Sequence, residues 1–66
     1  MRVSQSVLFV IETEATFGNS VAFEFLQSTI PTLTENELRW ALDLLCRRKE
    51  IELVAPDTWE LKPEEV

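Results

Sequence analysis

The chain contains no histidine, so the side chain that most often moves protons or holds zinc near neutral pH is missing. A single cysteine, Cys46, cannot close an internal disulfide, and without a histidine it lacks the base that a catalytic thiol needs. A small domain without disulfides points to a reducing compartment, and Cys46 reads as a small apolar residue at the border of the core. One glycine excludes a glycine-rich phosphate loop, and no serine-centred nucleophile motif is present. The carboxylates scatter over solvent faces. No catalytic, metal or cofactor site is therefore expected, no small-molecule substrate, and no enzymatic activity. The apolar run VLFVI, Val7 to Ile11, is cut off by Glu12 and is too short for a membrane span or a secretory signal. A cytoplasmic protein without membrane contact is the expectation.

Positive charge is the other scarcity. Six basic against twelve acidic side chains leave a net charge of -6. Non-specific affinity for nucleic acid comes chiefly from Lys and Arg, so this balance disfavours DNA as a partner. The distribution is uneven. Residues 1–38 set one cation against five carboxylates, a net of -4, and residues 55–66 set one against four, a net of -3. Between them Arg39, Arg47, Arg48 and Lys49 face Asp43, Glu50 and Glu52, a net of +1. The only basic stretch is the end of the central helix.

What remains is 66 residues, 45% of them hydrophobic, with three prolines as punctuation. That length makes one domain, residues 1–66, of a size that buries only about 60% of its unfolded surface. Its acidic end, about residues 63–66 after Pro63, should fray.

The first element, SQSVLFVIETEA, places Val3, Val7, Val10, Ile11 and Ala15 on one helical face, with Ser4 or Ser6 available as a cap. Helix is the reading, although the β-branched run also suits a buried strand on propensity alone. Phe9 points away from the apolar face, either under a terminal segment or towards a partner. FGNS (Phe17 to Ser20) separates this element from a second helix, about Val21 to Ile30, capped by Asn19 or Ser20 and apolar at Ala22, Phe25, Leu26, Thr29 and Ile30, with Phe23 widening the arc. Pro31 ends it.

The strongest local signal follows. Thr34-x-x-Glu37 is a capping box, and Leu33 with Leu38 supplies the hydrophobic staple. From there Leu38, Ala41, Leu42 and Leu45 share one face, with Cys46 at its edge. Arg47, Arg48 and Lys49 fall in the last turn, where cations complement the helix dipole. Period-two patterning on either side of Pro56-Asp57, Ile51 and Leu53 before it and Trp59 and Leu61 after it, predicts a two-stranded hairpin.

Three helices followed by a hairpin, with the third helix reading L-x-x-A-L-x-x-L and running into IELV, resembles the winged helix-turn-helix superfamily from about Ser4 to Leu61. The resemblance implies a mainly α fold with a small two-stranded antiparallel wing. It departs from the pattern at Lys49-Glu50, where a glycine is common: a non-glycine residue must tolerate a left-handed conformation there, or the helix exits differently. In DNA-binding members the third helix enters the major groove. Carried over, this makes Glu35, Asn36, Arg39, Trp40, Asp43 and Arg47 the groove-facing candidates, with Asn36 and Arg39 suited to base edges; joined by the basic run at Arg48 and Lys49, Asn36, Arg39 and Arg47 are the nucleic-acid candidates. The wing tip Ala55-Pro56-Asp57 has no positive charge to add.

Trp40 and Leu44 form a second apolar stripe nearly opposite Leu38 and Leu42. Either the N-terminal segment or the hairpin covers it, or it is a protein-binding patch. Trp40, Leu44 and Phe9 are the protein-interface candidates. The leading expectation is a non-catalytic interaction module, an adaptor or regulator, that binds a protein partner or dimerises. The alternative is a DNA-binding transcriptional regulator, with an acidic DNA mimic more remote.

Overall fold

In the computed structural model, which describes residues 3–62, three helices carry a small three-stranded antiparallel sheet. The third helix is the frame. It runs Glu35–Arg47 (α3), and the capping box is complete: the Glu37 amide donates to Thr34 Oγ1 at 3.1 Å, and the Thr34 amide donates to Glu37 Oε1 at 2.9 Å. Leu38, Ala41, Leu42 and Leu45 are buried as their spacing predicts, and Leu33 packs beside them.

The first helix (α1, Val3–Thr16) buries Val7 and Ile11 against α3 and turns Phe9 to the opposite side. Helical packing thus decides the VLFVI run that propensity left open. Ser4 and Ser6, expected as caps, lie within α1, and Ser4 is buried. The expected fraying of residues 63–66 lies outside the described residues.

Both long helices end in the same hydrogen-bond pattern, a Schellman motif. At the end of α1, Gly18 takes φ 75, with its amide donating to Ala15 and that of Asn19 to Glu14. At the end of α3 the left-handed residue is Lys49, φ 62, whose amide donates to Cys46 while that of Glu50 reaches Leu45. The helix therefore exits as it would with glycine, and a lysine carries a conformation that costs an L-residue roughly 1–2 kcal/mol.

The second element differs from expectation. Val21–Ala22 is a strand (β1), and the helix is only Phe23–Thr29 (α2), with Ala22 at its N-cap and no side-chain cap, so neither Asn19 nor Ser20 serves. The cause is pairing. Val21 lies opposite Trp59 and Ala22 opposite Thr58, and the Phe23 amide, an orphan donor of the first helical turn, donates to the Asp57 carbonyl at 2.9 Å. The inner face of α2 is accordingly Phe23 and Leu26, with Ile30 half-buried, while Ala22, Phe25 and Thr29 are exposed.

The hairpin is Ile51–Ala55 (β2) and Thr58–Leu61 (β3), joined through Pro56 and Asp57, and the expected two-stranded wing becomes a sheet ordered β1-β3-β2. Pro56 pre-sets its own φ, and Asp57 tolerates the left-handed region at φ 53. A register shift between Leu53 and Ala55 leaves Val54 as a bulge. Ile51, Trp59 and Val21 complete the core. Leu53 shares the face of Ile51 yet is 60% exposed.

Candidate interaction surface

The sequence of α3 turns two flanks away from the core, and the rest of the chain treats them differently. Residues advance about 100° each around a helix, so Arg39 and Trp40 look in different directions.

Arg39 lies on the flank that faces α2 and the hairpin turn. Its guanidinium carbon sits 4.2 Å from the centre of the Phe23 ring. Its Nε is 3.4 Å from Glu35 Oε2, and its Nη1 is 3.5 Å from Asp57 Oδ1 in the hairpin turn. Each ion pair is long and half-exposed and adds little alone. Together with the ring they fix the guanidinium in place, since a planar cation can stack and bridge two carboxylates at once. Phe23, Glu24, Gln27, Glu35, Arg39 and Asp57 border a shallow cleft of about 400 Å³ here. Three carboxylates against one cation make it acidic.

The Glu35–Arg39 spacing was legible as an (i, i+4) pair, whereas the contacts with Asp57 and Phe23 join positions 18 and 16 residues apart and have no local signal. Arg47 follows the same local rule, with its Nε 3.0 Å from Asp43 Oδ2. Among the described residues Arg48 and Lys49 are exposed and have no ion pair, and Asn36 is exposed.

Trp40 occupies the other flank, opposite Leu38 and Leu42, and is 58% exposed. Leu44, one turn on, is half-buried, so part of the stripe has cover and the indole does not. The two are (i, i+4) neighbours and form one patch. Phe9 is 67% exposed but on the outer side of α1. Because α1 and α3 turn their inner faces to one shared core, their outer faces point apart. The structure brings Trp40 and Leu44 together and leaves Phe9 separate.

Further exposed apolar residues escaped sequence reasoning: Phe17 at the end of α1, Phe25 on α2, and Leu53 and Val54 on β2. Hydrophobicity alone argues for burial; the observed α2 boundary turns Phe25 outward and the bulge does so for Val54.

Cys46 is half-buried at the rim of the core. Burial pushes its thiol above the usual 9.0; the Trp59 indole, which donates a hydrogen bond to the sulfur, pulls the other way, and the Asp43 charge adds to the rise. Burial and the Asp43 charge both favour the thiol over the thiolate. No helix among the described residues is long and apolar enough to cross a membrane. No protein-family model, characterised protein or solved structure matches the chain.

Proposed function

We propose that this chain is a small non-catalytic winged-helix module that works by binding protein, as an adaptor or regulator, rather than by reading DNA. The winged-helix reading draws support from three helices of which the third runs directly into a hairpin, and from the Leu38, Ala41, Leu42 and Leu45 core face.

One observation carries the functional part: on the same helix, Arg39 is engaged by the chain itself while Trp40 is left to solvent. A base-reading guanidinium works best with its donors free, and here Nε and Nη1 face Glu35 and Asp57. A tryptophan beside a leucine, ringed by charged residues, has the composition of a binding hot spot. The wing tip that would anchor on phosphate presents Asp57 instead.

The alternative rests on Arg48 and Lys49, with Arg47 partly engaged by Asp43. Two or three phosphate contacts give a salt slope of only about -2 to -3 in log K against log salt, too shallow for the contact number of a dedicated regulator. Duplex binding measured between about 50 and 200 mM salt is the test, since that range exposes counterion release. Weak or absent binding at the lower salt is expected. Micromolar or tighter binding that falls steeply with salt, and disappears in Arg47→Ala or Arg48→Ala, would overturn the reading.

A further inference from the structure

We infer that the partner of the Trp40 face is a second copy of this chain, with α3 of one molecule packed antiparallel on α3 of the other. The inference rests on the protein-binding reading above and names the partner. It stands on how charge and apolar groups are ordered along the exposed stripe.

Around the helix, Glu37, Trp40, Leu44, Arg47 and Arg48 fall within a sector about 100° wide, at steps of three and four residues. The order along that stripe is acid, indole, leucine, then two guanidinium groups. A twofold axis crossing α3 at the level of Leu42 lays this pattern on itself. Trp40 of each copy then meets Leu44 of the other, and Glu37 of each meets Arg47 and Arg48 of the other.

The parallel alternative sets Glu37 against Glu37 and Arg47 against Arg47, like charges throughout. The antiparallel arrangement also opposes the two helix dipoles favourably. One face supplying both halves of its own complement is what a twofold interface requires.

Two contacts within the chain prepare the charged ends. The capping bond from the Thr34 amide holds Glu37 by Oε1 and leaves Oε2 available. Asp43 takes Nε of Arg47 at 3.0 Å and leaves the terminal nitrogens, on a side chain that is 77% exposed. Groups already fixed in place lose less freedom on binding. On the opposite flank, the Arg39–Asp57 pair ties the hairpin turn away from the stripe. A 13-residue helix is only about 20 Å long, so the interface falls below the standard size and the dimer should be weak.

The test is sedimentation of the full chain over a concentration series, with circular dichroism to verify that each variant is folded. The average mass should rise from 7.6 kDa towards twice that value. Trp40→Gln should weaken association at least 10-fold. So should two charge variants measured separately, Glu37→Lys and the double change Arg47→Glu with Arg48→Glu, because each makes both ends of the stripe carry one sign. Mixing these two should restore a dimer, since the lysine and arginines of one then face the glutamates of the other. A dimer that persists in Trp40→Gln and in both charge variants overturns this face as the interface. A chain that stays monomeric throughout overturns the dimer while leaving the protein-binding reading to its own duplex test. Steep duplex binding by an intact dimer has the reverse meaning.

Discussion

Arg39 and Trp40 are consecutive residues on α3, and they mark two surfaces with opposite economies. On the Arg39 flank, Phe23, Glu35 and Asp57 engage the half-exposed guanidinium from α2, α3 and the hairpin turn, and in that sense the flank is closed by the chain's own contacts. On the Trp40 flank, a large apolar ring stays in water beside a half-buried leucine. A domain this small has little apolar surface to spare, so leaving an indole outside forgoes stability that burial would add. The closed flank should therefore report on folding and the open flank on association. Substitutions along α3 test that division.

The largest effect belongs to the inner face that holds both flanks in position. Leu38 is fully buried, and Leu38→Ala should cost about 2–5 kcal/mol, enough to unfold much of a marginal domain in a urea titration. Both surfaces should vanish together. A loss under about 1 kcal/mol would show that α3 is not their common frame. Next comes Thr34→Ala, which removes the capping box and should cost about 1 kcal/mol, again without preference for either flank.

In the sequence α3 is legible almost in full because its signals are local: a reciprocal cap three residues apart, a staple, and a leucine face at helical spacing. The same is true of the hairpin turn at Pro56-Asp57. β1 is not legible there, since two residues are too few to show a period of two, and Val21 and Ala22 continue smoothly into an apolar helical pattern. Pairing of β1 with β3 brings Phe23 beside the Asp57 carbonyl and sets its ring beneath Arg39. Trp40 could be assigned to the outer face from spacing alone, but whether another segment covered it depended on contacts between distant elements.

The junction after α3 offers a change in the favourable direction. Lys49 holds a left-handed φ of 62 with no need of its side chain in the Schellman bonds. Lys49→Gly should raise stability by about 0.5–1 kcal/mol, as glycine enters that region without steric cost. The hairpin should keep its direction and the Arg39–Asp57 contact should persist. If Lys49→Gly instead lowers stability by 1 kcal/mol or more in the same urea titration, the lysine holds the hairpin in place by something other than its backbone angle.

The comparison is sharpest in the adjacent pair itself, where the expected changes in stability are smallest. Arg39→Ala should lose about 0.5–1 kcal/mol, from stacking on Phe23 and two half-exposed ion pairs discounted for solvent. Raising the salt should shrink the ion-pair share of that loss and spare the stacking share, because screening acts on the charges and not on the ring. Trp40→Gln should change stability by less than about 0.5 kcal/mol, since the indole is mostly in water already. Its association should fall while that of Arg39→Ala stays near the parent value. If Trp40→Gln proves the more destabilising of the two, the indole packs within its own chain, and the open flank is closed after all.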